Sequence, residues 1–179
     1  MHYPQRKLGL GTATILGLQN AIQNEIEFVA TMDADGSHNP GDLAAMWNEI
    51  QQPHNQNVGV ILGSRYVRGG KIEGWPITRR IASWLVNTCV RWILWIPVRD
   101  TSGAFRIYRT AELKRVDLSI IRSVGYAYLE ELLFRLHRAS VKAIEWPITF
   151  RDRKAGLSKA NWREAAGVLY RVFRLGFRI

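Results

Sequence analysis

The sequence predicts an α/β domain in which a sheet is flanked by helices. Two short, almost wholly apolar segments, residues 26–32 and 58–62, suit buried strands. Each ends in a cluster of polar residues, and in α/β sheets ligands bind beyond the carboxyl ends of the strands. With 179 residues and 47% hydrophobic side chains, the chain has the size of one domain with a substantial core.

The remaining elements follow from periodicity and from turn residues. Helical spacing of apolar residues predicts helices over residues 11–24, 40–52, 77–98, 126–139 and 161–179. A short strand is predicted after the polar turn at residues 100–106, and another over residues 141–150, where Pro147 indicates an edge or a bulge. The Gly-rich basic segment 67–75 and the charged segment 151–160 are predicted loops.

Charge is distributed unevenly along the chain. Residues 1–62 contain two basic and six acidic side chains, whereas residues 63–179 contain 23 basic and nine acidic ones, within an overall charge of +10. A basic half is typical of proteins that bind phosphate, nucleic acid or anionic lipid. The single cysteine, Cys89, excludes an internal disulfide and a Cys-rich metal site, and no apolar run has the length of a membrane span.

Asp33 and Asp35 form a candidate metal site directly after the first strand. Two carboxylates so close repel each other unless a cation or several hydrogen-bond donors hold them. Oxygen ligands of this kind favour hard ions such as Mg²⁺ or Mn²⁺. The alternative is an Asp-rich turn whose carboxylates cap the next helix.

Basic residues surround the Gly-rich segment 67–75. A cluster of guanidinium and ammonium groups suits the binding of phosphate, although a solvated basic surface is the alternative for any single member. Arg65 differs from the others because it follows a buried strand. The members are Arg65, Arg68, Lys71, Arg79 and Arg80.

Three further features leave two interpretations open. Asp100 and Arg106 enclose a compact turn, and either pair with each other or bind a ligand. Glu130 and Glu131 are adjacent in a helix, so we expect one to be solvated and the other to reach the site. The helix at residues 161–179 carries arginines on one side and aromatic residues on the other, which suits either packing on the core or a membrane interface.

Seven motifs in a fixed order resemble one family, the dolichyl- or polyprenyl-phosphate mannosyltransferases of glycosyltransferase family 2. The motifs are KLGLGTATILGLQNA, MDADGSHNP, GSRYVRGG, RRIAS, DTSGAFRIYR, GYAYLEE and FRDRKAGLSK. The resemblance implies a GT-A fold, a Rossmann-like, mixed and mainly parallel sheet flanked by helices. It also implies transfer of mannose from GDP-mannose to a dolichyl or polyprenyl phosphate, with inversion at the anomeric carbon and dependence on Mg²⁺ or Mn²⁺.

The resemblance also implies a role for particular residues. It assigns Asp33 and Asp35 to the metal that faces the donor pyrophosphate, with Ser37 as a further donor contact. It assigns the phosphate of the acceptor to Arg65, Arg79 and Ser83, and it assigns Arg153 and Lys159 to a loop that closes over the donor. Asp35 and Arg65 are the residues that it implies for catalysis.

Relatives begin with a nucleotide-binding unit of which the chain shows no motif, so we expect an N-terminally truncated domain or a separate partner subunit. The resemblance divides the chain into a partial catalytic domain, residues 1–160, and an amphipathic helix, residues 161–179, within the same domain or at a membrane. It implies a peripheral location at the cytoplasmic face of a membrane, with no transmembrane helix. No nucleic-acid partner is expected.

Two other functions remain open from the sequence. One is transfer of a different sugar to a lipid phosphate by the same fold. The other is a non-catalytic basic module that binds an anionic membrane or nucleic acid through charge and stacking alone. The second leaves unexplained why the Asp33–Asp35 turn follows a buried strand.

Overall fold

A computed structural model describes residues 9–123, 125–152 and 162–177. In this part of the chain the helices are α1 (Leu10–Gln23), α2 (Pro40–Ile50), α3 (Ile77–Leu94), α4 (Thr110–Leu113), α5 (Tyr128–Arg138) and α6 (Trp162–Gly176). The strands are β1 (Phe28–Thr31), β2 (Val58–Ser64), β3 (Lys71–Glu73), β4 (Arg106–Arg109), β5 (Lys142–Pro147) and β6 (Thr149–Arg151). The five predicted helices agree with α1, α2, α3, α5 and α6 to within a few residues. The short helix α4 was not predicted.

Local chemistry explains where the helix before the second strand begins. The side-chain oxygen of Asn39 accepts a hydrogen bond of 3.0 Å from the backbone N–H of Gly41. Pro40 occupies the first helical position, where its missing N–H costs nothing. Met46 and Ile50 then share one face of α2 and are fully buried.

The main sheet has the strand order β1-β4-β2-β5. Strand β4 is antiparallel to both of its neighbours, and β2 is parallel to β5. Three strands therefore run in one direction and one runs against them, which confirms the predicted mixed sheet, although two of its three strand pairings are antiparallel. Because β4 is reversed, the loop that precedes it lies at the same sheet edge as the carboxyl ends of β1 and β2.

A second, two-stranded sheet pairs β3 with β6 in parallel. Two predictions were wrong here, since the predicted loop at 67–75 contains β3, and the predicted strand at 141–150 divides into β5 and β6. The backbone of Ile148 explains the division. Its N–H donates to the carbonyl of Ser64 on β2 and its carbonyl accepts from the N–H of Lys71 on β3, so the chain passes from one sheet to the other.

Both faces of the main sheet are covered. On one face Val60 and Leu62 of β2 pack with α1, α3, α5 and α6. On the other face Val58 and Ile61 pack with Met46 and Ile50 of α2. Strand β2 is buried at every residue, which accounts for its continuous apolar sequence.

Within the part of the chain that the structure describes, no helix has both the length and the apolar character needed to cross a membrane. Helix α6 packs against α3, and its Val172 is buried in the core. Tyr170, Phe173 and Phe177 of the same segment are exposed. The terminal helix therefore divides its aromatic and apolar residues between the core and the surface.

Candidate functional site

Three segments meet at the carboxyl edge of the main sheet: the turn after β1, the turn after β2 and the loop before β4. The hydroxyl of Thr31 at the end of β1 donates to the carbonyl of Ala104 at 2.6 Å. The N–H of Gly63 on β2 donates to the carbonyl of Phe105 at 2.9 Å. These bonds hold the loop before β4 between the other two segments.

The turn after β1 presents its carboxylates near the surface. Asp35 is exposed, and one of its carboxylate oxygens accepts a 3.0 Å hydrogen bond from the N–H of Ser37. Ser37 itself is buried, and its carbonyl accepts from the N–H of Arg151 on β6. The turn is thus fixed both within itself and to the second sheet.

His38 is buried behind this turn. Its ring is 4.8 Å from the ring of Phe105 and 5.3 Å from that of Phe150. Its Nε2 lies 3.8 Å from a carboxylate oxygen of Asp33. Neither ring nitrogen has a hydrogen-bond partner among the described residues.

Asp33 and Asp35 provide two carboxylates, and the described residues contain no group of three or more His, Cys, Asp or Glu arranged to hold a metal. This donor set fits Mg²⁺ or Mn²⁺ bound together with a substrate. Magnesium in particular is usually held by one or two carboxylates, with water and substrate phosphates completing its coordination.

A buried ion pair between Arg65 and Asp100 lies next to the acidic turn. The Arg65 Nε and Nη2 atoms each donate to an oxygen of the Asp100 carboxylate at 2.7 Å, and the backbone N–H of Arg65 donates to it at 3.0 Å. Burial alone would raise the pKa of Asp100, but the Arg65 guanidinium outweighs it and holds that pKa below its usual value. Burial likewise opposes the charge on Arg65, and Asp100 overcomes it, so the pKa of Arg65 is raised.

The loop that carries Asp100 is held by two further side chains. The Asn87 amide oxygen accepts from the N–H and the hydroxyl of Thr101 at 2.7 and 2.9 Å, and from the N–H of Ser102 at 3.1 Å. The Glu145 carboxylate accepts from the N–H groups of Arg99 and Asp100 at 2.8 and 2.9 Å. Asn87 is a buried polar residue on the same side of α3 as Val90 and Leu94, and this spacing is a signal that could have identified it from the sequence.

A second ion pair joins Arg79 of α3 to Asp152. Arg79 Nη1 lies 3.1 and 3.2 Å from the two carboxylate oxygens, and its guanidinium stacks 3.8 Å from the ring centroid of Trp75. One turn further along α3, the Ser83 hydroxyl accepts a 2.7 Å hydrogen bond from the hydroxyl of Tyr66. Trp75 and Tyr66 also stand 5.5 and 5.3 Å from the Arg65 guanidinium.

The structure therefore brings most of the predicted site residues to one edge of the sheet. These are Asp33, Asp35, Ser37, Arg65, Arg79 and Ser83. Arg153 and Lys159 lie outside the described residues. Asp100 pairs with Arg65, whereas the buried Arg106 donates to the carbonyls of Gly103, Thr101 and Leu129 and closes the turn from within.

The prediction that one of two adjacent glutamates is solvated was wrong, since both are buried. Glu131 accepts hydrogen bonds from the N–H groups of Arg122 and Ser123 and pairs with Arg135 at 2.6 Å. Glu130 has a buried oxygen, Oε2, with no hydrogen-bond partner among the described residues. Burial raises the pKa of Glu130 to about 7.

Comparison with known protein families gives a match to the model described as "Glycosyl transferase family 2" over residues 1–116. Two curated relatives match nearly the whole chain. The polyprenol monophosphomannose synthase of Mycolicibacterium smegmatis is 32% identical over 172 residues, which are 96% of this chain and 63% of that protein. The undecaprenyl-phosphate mannosyltransferase of Micrococcus luteus is 33% identical over 170 residues, 95% of this chain and 68% of that protein. The chain thus spans about two thirds of the length of these relatives.

Among solved structures, glucosyl-3-phosphoglycerate synthase of Mycobacterium tuberculosis has a similar fold. Its complex with phosphoglyceric acid superposes with a TM-score of 0.58 at 13% identity, over 97% of this chain and 55% of that one. Its complex with Mn²⁺ and UDP-glucose gives a TM-score of 0.55 at 15% identity, over 95% of this chain and 53% of that one. At such low identity the likeness concerns the fold.

The Asp100→Asn variant tests the buried ion pair. It preserves the shape of the side chain but leaves the Arg65 guanidinium buried without a carboxylate, so we expect a loss of about 3–5 kcal/mol in the free energy of unfolding. Urea denaturation measures this loss. The matched control is Glu73→Gln, which breaks the exposed pair with Arg151 and is expected to cost less than about 1 kcal/mol. Equal losses in the two variants would show that the buried pair does not stabilise the fold.

The Glu130→Gln variant tests the buried carboxyl group. Because the folded pKa of about 7 lies above the usual value of 4.5, the native state binds the proton more tightly than the unfolded state. The stabilisation is complete below pH 4.5 and is lost as the pH rises towards and through 7. We expect the unfolding free energy of Glu130→Gln, relative to wild type, to rise by up to about 3 kcal/mol between pH 4 and pH 8. Parallel pH profiles of the two proteins would contradict the assignment.

Proposed function

Because the chain belongs to glycosyl transferase family 2, we propose that it acts in the transfer of mannose from GDP-mannose to a polyprenyl phosphate such as dolichyl phosphate. In the reaction an oxygen of the lipid phosphate forms a bond to the anomeric carbon from the face opposite the leaving group. The bond from that carbon to the GDP oxygen breaks, and GDP leaves with the electron pair. The configuration at the anomeric carbon is inverted.

One observation carries this proposal: an acidic turn and a set of arginines share one edge of the sheet. Asp33 and Asp35 are the carboxylates suited to a divalent ion, and Arg65 is close enough to Asp33 for their charges to interact. A sugar nucleotide and a lipid phosphate are both anionic, so their reaction needs positive charge on both sides of the anomeric carbon. The names of the two curated relatives support mannose and a polyprenyl phosphate as the reacting partners.

The metal site is assigned to Asp33 and Asp35. When bound there, Mg²⁺ or Mn²⁺ supplies positive charge that neutralises the leaving pyrophosphate. Mn²⁺ accompanies UDP-glucose in the structure of glucosyl-3-phosphoglycerate synthase, which supports a divalent ion in this fold. Ser37 holds the turn in shape through its backbone N–H.

The acceptor phosphate is assigned to Arg65, Arg79 and Ser83. Arg65 uses Nε and Nη2 for Asp100, while its Nη1 makes no hydrogen bond to another described residue. The bidentate pair and the rings of Tyr66, Trp75 and Phe150 around it restrict the guanidinium to one orientation. A lipid phosphate is already ionised at neutral pH and attacks without a strong general base.

A peripheral membrane location at the cytoplasmic face belongs to the same proposal, and α3 supports it. At 100° per residue, Ile77, Ile81, Trp84, Leu85 and Trp92 fall within an arc of about 100°. All five are exposed, and the buried residues of α3 lie on the opposite side. This row of five residues is here called the α3 stripe.

Charge complementarity indicates an anionic bilayer as the surface that the α3 stripe meets. The exposed Arg80 and Arg91 flank one side of the stripe, at the positions where lipid phosphates lie around an interfacial helix. Helix α6, packed on α3, adds the exposed aromatic residues Tyr170 and Phe173. Tryptophan and tyrosine favour this interface because their rings are apolar and their polar atoms remain in contact with water.

The Asp35→Ala variant tests the catalytic part of the proposal. We expect transfer of radiolabelled mannose from GDP-mannose to a polyprenyl phosphate to fall at least about 100-fold, because one of the two carboxylates assigned to the metal is lost. Chelation by EDTA should abolish transfer in wild type, and Mg²⁺ or Mn²⁺ should restore it. Glu27→Ala, which removes an exposed carboxylate at the other end of β1, is the control and should retain activity. Full activity without metal would refute the proposal. Transfer that occurs with UDP-glucose and not with GDP-mannose would indicate a different sugar.

The Trp92→Glu variant tests membrane binding by the α3 stripe. It places a charge within the apolar arc, so we expect cosedimentation with phosphatidylglycerol vesicles to weaken about tenfold or more. Asn48→Glu on the exposed side of α2 adds the same negative charge. We expect it to bind the vesicles as wild type does, except for the general repulsion between that charge and the anionic lipid. Equal binding of the two variants would contradict membrane contact through α3.

A further inference from the structure

The imidazole of His38 is buried directly beside the acidic turn. Its side chain is only 3% exposed, and its Nε2 lies 3.8 Å from a carboxylate oxygen of Asp33. Neither of its ring nitrogens forms a hydrogen bond within the part of the chain that the structure describes. A buried polar group without a partner lowers stability, so its presence in a native fold points to a role other than packing.

The backbone on both sides of His38 is held in place. The carbonyl of Ser37 accepts a 3.0 Å hydrogen bond from the N–H of Arg151, and the side chain of Asn39 caps the start of α2. Gly36 has a φ of +79°, a left-handed conformation that glycine adopts without strain, and this allows the sharp turn before Ser37. The position of the imidazole is therefore set by the backbone and not by a hydrogen bond of the ring itself.

Two aromatic rings determine how the imidazole is oriented. The ring of Phe105, before β4, has its centroid 4.8 Å away at an interplanar angle of 43°, and that of Phe150 on β6 is 5.3 Å away at 80°. An apolar side chain could make equivalent contacts, so the packing alone does not require the two nitrogen atoms. Nε2 is the nitrogen that faces a carboxylate.

Asp33 and Asp35 must present oxygens to the same ion although their like charges repel each other. Asp35 is oriented by the N–H of Ser37, which donates to one of its oxygens at 3.0 Å. For Asp33 the imidazole of His38 occupies the equivalent place. A shift of less than about 1 Å would bring the 3.8 Å separation of Nε2 and the carboxylate oxygen into the range of a hydrogen bond.

We propose that His38 is a positioning residue, whose Nε2–H donates to one oxygen of Asp33 and so directs the other oxygen towards the divalent ion. Hydrogen bonds of this kind orient metal-binding carboxylates without contacting the metal. Among the described residues no group of three His, Cys, Asp or Glu is arranged to hold a metal, which favours action through Asp33 over direct ligation by His38. This inference rests on the proposed assignment of Asp33 and Asp35 to the metal.

The test measures binding of Mn²⁺ alone to the full chain by electron paramagnetic resonance. His38→Leu removes the N–H and keeps an apolar side chain between the two phenylalanine rings. We expect it to weaken Mn²⁺ binding about tenfold or more. The urea midpoint of unfolding should not fall, because the ring nitrogens have no hydrogen bond to lose among the described residues.

Two further variants separate the N–H from the bulk of the side chain. His38→Gln places an amide N–H at nearly the same distance from the backbone as Nε2, and should recover most of the affinity for Mn²⁺. His54→Leu is the matched control, since it removes an exposed histidine that lies 3.4 Å from the carboxylate of Glu49. It should bind Mn²⁺ as wild type does.

Wild-type affinity for Mn²⁺ in His38→Leu would overturn the inference. Equal weakening in His38→Leu and His38→Gln would assign the effect to packing and would overturn it as well. Electron spin echo modulation of wild type is a second test that needs no variant. We expect no coupling from a directly bound nitrogen, and such a coupling would make His38 a ligand and refute the positioning role.

The Asp35→Ala variant separates this failure from that of the proposed function. If Asp35→Ala loses Mn²⁺ but His38→Leu does not, the metal site stands and the role of His38 is wrong. If Asp35→Ala binds Mn²⁺ as wild type does, the proposed metal site fails and the inference fails with it. If Mn²⁺ binding depends on both residues but no sugar nucleotide supports transfer, the role of His38 stands and the proposed function fails.

Discussion

The buried pair of Arg65 and Asp100 is the interaction on which the arrangement of the site depends. Removing two charges from water is costly, and a pair recovers the cost only when its geometry is good and its remaining hydrogen bonds are made. Here Asp100 accepts three hydrogen bonds from Arg65 alone, and its own N–H donates to Glu145. The pair joins the end of β2 to the loop before β4, two segments 35 residues apart in sequence. The reversed strand β4 makes this possible, because it brings the start of one strand to the end of another.

Charge at the sheet edge is therefore of two kinds. Arg65 and Arg79 are paired and held in fixed orientations by aromatic rings, whereas Lys71 and Arg80 are exposed and have no carboxylate partner among the described residues. Paired arginines supply directed hydrogen bonds with little net field, and unpaired cations supply the field that attracts an anion. A reaction between two anionic substrates needs both, since attraction without orientation leaves the reacting atoms misaligned. The net charge of +10 describes the attraction and says nothing of the orientation.

Much of the fold and part of the site could be predicted from the sequence. The continuous apolar run of β2 and the Asp-rich turn after β1 depend on neighbouring residues, so local patterns identify them. The split of the last strand at Ile148 depends on bonds to Ser64 and Lys71, which are distant in sequence, and no local pattern contains them. For the same reason the sequence did not identify the partner of Asp100. Arg106 is near Asp100 in sequence, whereas Arg65 is 35 residues away. Asn87 could have been identified locally but was not predicted: it shares the buried side of α3 with Val90 and Leu94, at helical spacing.

Helix α3 connects the parts of the molecule that the proposed reaction must bring together. Its buried side carries Asn87, which holds the loop of Asp100 through Thr101 and Ser102. Its exposed side carries the stripe that suits a bilayer, and its first turns carry Arg79 and Arg80. A rigid helix fixes the distance between these sides, because 18 residues at 1.5 Å each span about 27 Å without a hinge. In the proposed membrane contact, the depth at which α3 lies in the interface determines the distance of the Arg65–Asp100 pair from the bilayer. The helix that is proposed to contact the bilayer therefore also positions the site relative to it.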